Sequence, residues 1–81
     1  MGSSVFTKEY EIFRKLLIQY RNEALVTQIT LAKKLGKPQS YVSKYESGER
    51  RLDVIEFLKI AEALPFDPIK FISDLEKEIN K

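Results

Sequence analysis

Apolar residues along this chain recur at steps of three and four, and Gly36, Gly48 and Pro65 cut that pattern into short lengths. A left-handed glycine or a proline stops a helix, so the spacing predicts short helices joined by tight turns. The first helix spans about Thr7 to Asn22, on a stripe of Phe6, Tyr10, Phe13, Leu17, Tyr20 and Ala24 widened by Leu16. The second spans Gln28 to Leu35, with Thr27 as its N-cap and Leu31, Ala32 and Leu35 as its apolar face. The third spans Gln39 to Ser47, with Pro38 in its first turn and only Val42 and Tyr45 as core positions. The fourth spans Val54 to Leu64 behind an Asp53/Glu56 capping box, with Ile55, Leu58, Ala61 and Leu64 facing inward. The fifth opens at Asp67-Pro68 and carries Ile69, Ile72, Leu75 and Ile79 with Phe71 beside them. No segment reads as a strand. With 81 residues there is room for one small domain, expected over 7–81 as an all-α, compact five-helix bundle. Residues 1–6 are expected to form a flexible leader and stand outside this pattern.

Composition then narrows the chemistry. Cysteine and histidine are both absent, which removes disulfides, thiolate chemistry, the commonest metal ligand and the usual neutral-pH base. No Walker loop or metal-ligand cluster is present, so catalytic residues, metal and cofactors are all expected to be none. No apolar run reaches the roughly 18 residues of a membrane span, so no membrane partner is expected. The formal net charge is only +2, but it is unevenly spread: residues 33–51 carry net +4 and residues 52–81 net −3. A clustered basic segment is the electrostatic footprint of a polyanion site.

The stretch from Thr27 to Gly48 is a short helix, a turn holding Gly36 and a second short helix, the pattern of a helix-turn-helix. Ala32 is small, as a close helix crossing requires, and Gly36 permits a positive φ in the turn. On a wheel of about 100° per residue, Gln39, Ser40, Ser43, Lys44 and Ser47 share one wholly polar face. Tyr41, Val42, Tyr45 and Glu46 take the other. Short polar side chains let a helix sit deep in a major groove. The two long ones suit base edges, since Gln pairs bidentately with adenine and Lys donates to guanine. Gln39, Ser40, Ser43 and Lys44 are therefore the candidate base readers, against the plainer reading of a solvated helix face.

From Arg21 to Leu64 the sequence resembles the Cro/repressor, XRE-like, helix-turn-helix family of phage and bacterial regulators. The resemblance rests on Arg21 and Glu23, Thr27-Gln28, Leu31-Ala32, Leu35-Gly36, Gln39, Val42-Ser43, Tyr45-Glu46, Gly48, Phe57-Leu58, Ala61 and Leu64. It implies a lambda-repressor-like DNA-binding fold in which Gln39 and Ser40 read bases. It also implies that Gln28 bonds both a phosphate and the Gln39 amide, and that Arg21 and Glu46 form a structural ion pair. Arg50 and Arg51 stand in the loop where the family contacts phosphate. The expected phosphate contacts are thus Thr27, Gln28, Lys37, Tyr41, Ser47, Arg50 and Arg51. Tyr41 stays open between a phosphate contact through its hydroxyl and a cover for the core edge. Pro65 departs from the family, which usually carries Gly there, and Ile29 is apolar where exposure is expected.

The function expected from this resemblance is sequence-specific transcriptional regulation on double-stranded DNA, with a homodimer on a palindromic operator. A restriction-modification controller or an antitoxin-type regulator is a narrower form of it. A protein-interaction module without DNA binding is the alternative from another class. Helix five, over 67–80, is the expected dimerisation element, with Ile72, Leu75 and Ile79 supplying the interface. No small-molecule ligand is expected, and the location is expected to be cytoplasmic, on the bacterial nucleoid when DNA is bound.

Overall fold

The computed structural model describes residues 7–81. Phe6, at the head of the first stripe, and the rest of the expected leader lie outside the described residues. Five helices follow one another: α1 (Lys8–Glu23), α2 (Gln28–Leu35), α3 (Gln39–Ser47), α4 (Val54–Ala63) and α5 (Pro68–Ile79). Among the described residues there is no strand, and no helix is long and apolar enough to cross a membrane.

The helix ends form where local chemistry satisfies the backbone. Thr7 caps α1 and Thr27 caps α2, each hydroxyl accepting a first-turn N–H. Asp53 and Glu56 close a complete capping box on α4, and Asp67 caps α5 ahead of Pro68. Gly36 and Gly48 end α2 and α3 with φ of +68° and +91°. Pro38 stands one residue earlier than the sequence suggests. It is the extended residue before α3 and offers no side-chain cap.

α1 packs against α3 and α5, and α2 packs against α3 and α4. Tyr45, Phe71, Leu17, Leu31, Ile60 and Val42 are fully buried between them. One side of this core is aromatic. Phe71 sits 4.8 Å from Tyr20, 5.0 Å from Phe57 and 5.2 Å from Phe66, centroid to centroid. Phe66 reaches that cluster because the turn after Pro65 folds back, its N–H bonding Ala61 O at 2.7 Å.

The inward face of α4 differs from the sequence expectation. Phe57, Ile60, Ala61 and Leu64 are buried, whereas Ile55 and Leu58 are 58% and 44% exposed. Both sets have helical spacing. The aromatic cluster decides between them, because only one rotation of α4 delivers Phe57 to Phe71.

Candidate nucleic-acid interface

The turn between α2 and α3 sets the geometry of the pair. Gly36 N–H bonds Lys33 O and Lys37 N–H bonds Ala32 O at 2.9 Å, closing α2 and redirecting the chain. A Cβ at Gly36 would meet nothing within 4 Å, so the positive φ alone favours glycine there. Ala32, buried at the crossing, lets α3 come close.

α3 divides as its wheel predicts. Val42, Tyr45 and Glu46 are buried, while Gln39, Ser40, Lys44 and Ser47 are exposed and Ser43 is half-buried. Burial pushes the Tyr45 phenol upward, so it stays neutral. Glu46 is the exception that needs explanation, since a carboxylate this deep must be paired. Arg21 supplies the pair. Its Nε lies 2.8 Å from Glu46 Oε2 and its Nη2 lies 3.0 Å from Oε1, with side-chain exposures of 12% and 5%. The third guanidinium nitrogen, Nη1, donates to Val26 O at 2.8 Å. The hydrogen bond to Glu46 outweighs burial and holds the Arg21 guanidinium even further above the neutral range.

That ion pair continues outward. Gln28 Nε2 donates to Glu46 Oε1 at 2.8 Å, and Gln39 Nε2 donates to Gln28 Oε1 at 2.7 Å. Four side chains on three helices thus form one line from the buried end of Arg21 to the exposed amide of Gln39.

The structure adds a residue that the sequence reading leaves without a role. Arg14 Nη1 donates to Glu46 O at 2.8 Å, in the last turn of α3. A cation there complements both the unpaired carbonyls and the negative end of the helix dipole. Arg14 also tightens the space at Gly48, where the φ of +91° already favours glycine and a Cβ would meet Arg14 Nε at 3.1 Å. Only the tertiary fold brings Arg14 to Gly48, so no local signal announces it.

The other expected contact residues fall into two groups. Thr27 and Ser47 are engaged locally, Thr27 as the α2 cap and Ser47 between Lys44 O and Glu49 N–H. Lys37, Tyr41 and Arg50 gather beside α3. Lys37 Nζ and Arg50 Cζ stand 5.4 and 4.9 Å from the Tyr41 ring centroid. The Tyr41 hydroxyl donates to Glu56 Oε2 at 3.3 Å and Arg50 Nη2 pairs with the same oxygen at 3.0 Å. A backbone bond from Asp53, assisted by Arg50, keeps the Glu56 carboxyl below its usual range. Arg50 and Tyr41 therefore already have an intramolecular acceptor, with which a phosphate has to compete. Arg51 is exposed and lies 4.0 Å over the Tyr10 ring.

On the far side, Ile72 and Ile79 of α5 are exposed and Leu75 is half-buried against the core. Val54, Ile55 and Leu58 give α4 an exposed apolar face as well, a consequence of the rotation that buries Phe57.

A protein-family model described as Helix-turn-helix matches residues 17–71. An uncharacterized transcriptional regulator in the ATPase CF(0) region of Rhodospirillum rubrum is 36% identical over 59 residues. That match takes in 73% of this chain and spans 55% of the relative. Among solved structures, an XRE-family-like protein from Pseudomonas syringae pathovar tomato superposes with a TM-score of 0.82 at 46% identity, covering 86% of this chain and 85% of that one. A mutant of a restriction-modification controller protein superposes with a TM-score of 0.81 at 26% identity, covering 100% of this chain and 98% of that one.

Proposed function

The chain belongs to the XRE-type helix-turn-helix family of DNA-binding regulators, which are not enzymes, and we propose that it is a sequence-specific transcriptional regulator. In this reading it binds a palindromic operator as a homodimer, with α3 of each subunit in the major groove. The observation that carries it is the held amide of Gln39. A long exposed side chain on the first turn of a helix is ordinarily free to move, yet this one is tied through Gln28 to a buried ion pair. A free solvated face needs no such restraint, whereas a base reader gains from it, because less rotamer entropy is lost on binding.

Gln39, Ser40, Ser43 and Lys44 are assigned to base edges. Thr27, Gln28, Lys37, Tyr41, Ser47, Arg50 and Arg51 are assigned to phosphates, which fix register without carrying sequence. The apolar residues left outside on α4 and α5 are assigned to the second subunit. The operator sets the cytoplasm as the place of action. A restriction-modification controller is the second reading, favoured by the end-to-end likeness to such a controller at a TM-score of 0.81.

The test is Gln39→Ala on DNA selected from a random pool by the parent protein. It is expected to lose discrimination at one base pair per half-site, worth about 1–3 kcal/mol for each bidentate contact. Equal weakening on selected and random DNA would remove Gln39 from the readers.

A further inference from the structure

We propose that Glu46, which faces no DNA, fixes the order in which Gln39 presents its hydrogen-bond acceptor and donor to the groove. The inference rests on Gln39 being a base reader and concerns how its two-sided amide is kept facing one way.

A glutamine amide is almost symmetric in shape. Rotating it by half a turn exchanges a carbonyl for an NH2 group at nearly no steric cost, and reverses what it asks of a base. Nothing on the solvent side of Gln39 chooses between the two. The choice is made at the buried end of the line. Glu46 is a carboxylate gripped by two nitrogens of Arg21 and can only accept. The Gln28 group that meets it at 2.8 Å must therefore be the NH2. That turns the Gln28 carbonyl outward, and a carbonyl also only accepts. Gln39 must then meet it with its own NH2, as it does at 2.7 Å.

One N–H of Gln39 is spent in this way. Its remaining N–H and its carbonyl share the outer edge in a fixed order. That edge matches adenine, which offers an acceptor at N7 and a donor at N6. It mismatches guanine, whose O6 would face the Gln39 carbonyl. The reverse order would follow if the polarity of the line were reversed, and only an ionised residue at 46 forbids the reversal. Arg21 contributes by holding that carboxylate in place with two nitrogens, and Arg14 by fixing the backbone of the residue that bears it.

The experiment measures dissociation constants for the parent's selected site and its three single-base variants, at the base pair where Gln39→Ala loses discrimination. The proteins are the parent, Glu46→Gln and Gln28→Met, each checked for helicity and thermal midpoint. Glu46→Gln keeps the shape but can donate or accept, so the line loses its polarity. Gln28→Met cuts the line and leaves the Arg21–Glu46 pair intact, so a preference retained by this variant overturns the proposal even should Glu46→Gln fail to fold. The expected result is a preference of about tenfold or more in the parent, the size of one bidentate pair, that falls to about threefold or less in each folded variant. A general loss that accompanies the reduced preference reports the Gln28 phosphate contact and leaves the expected result standing. If the variants keep the parent's preference, or weaken all four sites equally, Glu46 has no part in reading and the proposal is overturned while Gln39 remains a reader. If no base pair responds to Gln39→Ala, the assignment of Gln39 itself fails, and the proposal with it.

Discussion

Two side chains carry information at the scale of the single residue. Leu25, in the turn from α1 to α2, has a φ of +60° and is 91% exposed. The left-handed region costs a side-chain-bearing residue roughly 1–2 kcal/mol, and an exposed side chain recovers almost none of it by packing. Glycine removes that cost but adds about 0.5–1 kcal/mol of unfolded-chain entropy. Leu25→Gly is therefore expected to raise stability by about 0.5 kcal/mol, the balance of these two terms. A urea midpoint equal to or below the parent's would mean that Leu25 makes a stabilising contact. Tyr20 is the second case. Its hydroxyl donates to Asp74 Oδ2 at 2.6 Å, and burial together with that bond pushes its pKa up to about 12. An unfolded tyrosine titrates near 10. The folded value is the higher one, so this stabilisation is complete below about pH 10 and drains away as the pH climbs to about 12. Tyr45 is also pushed upward by burial and adds to the alkaline loss. The diagnostic is thus a difference: the thermal midpoint of the parent should fall more steeply than that of Tyr20→Phe between those pH values. Parallel curves would show that the Tyr20–Asp74 bond stores no such energy.

At the scale of the element, α3 is held from behind by two arginines of α1 that grip the same residue, Arg21 on the Glu46 carboxylate and Arg14 on its carbonyl. Glu46→Ala leaves the Arg21 guanidinium largely buried with no anion, a situation that costs about 3–5 kcal/mol at buried pairs. Loss of about 3 kcal/mol in urea unfolding is the expected outcome, a large part of the stability of a small domain. A loss below ~1 kcal/mol would place the pair among surface ion pairs of little worth. The elements themselves were legible in the sequence because their punctuation is local. Thr27, Gly36, Gly48, Asp53 with Glu56, and Asp67-Pro68 each act within one turn of where they stand. The face of α4 was not legible. Val54, Ile55, Phe57, Leu58, Ile60, Ala61, Ala63 and Leu64 surround the helix, so periodicity selects no single stripe. Tertiary packing of Phe57 chooses the rotation. The candidate site divides in the same way. The polar face of α3 follows from its wheel, and the Arg21–Glu46 approach from a family resemblance. The grip of Arg14 on α3 joins residues 32 apart and has no sequence signal at all.

At the scale of the molecule, the proposed homodimer gives the exposed apolar residues of α4 and α5 a role. Val54, Ile55 and Leu58 on α4 and Ile69, Ile72 and Ile79 on α5 are all exposed. Scattered exposed hydrophobics are ordinary in a monomer, so the case for covering these rests on the proposed function. In that reading a second copy covers them, which also suits DNA reading. One α3 spans only a few base pairs, whereas a two-fold pair reads half-sites about one helical turn apart, so palindromic DNA and an isologous interface imply each other. The test must add charge to this surface without touching the core. Leu75 is unsuitable, being packed against the buried cluster. Ile72 and Ile79 are exposed, so Ile72→Glu with Ile79→Glu adds four carboxylates to a two-fold interface while leaving the fold of each subunit intact. The double variant is expected to keep the parent's helicity and to sediment as a monomer. It should bind a single half-site as the parent does, and a full palindrome about a hundredfold or more weaker, since linked binding of two half-sites is lost. A variant that still sediments as a dimer would move the interface away from α5. A parent that is monomeric at micromolar concentration and binds half-site and palindrome equally would remove the dimer from the proposed function.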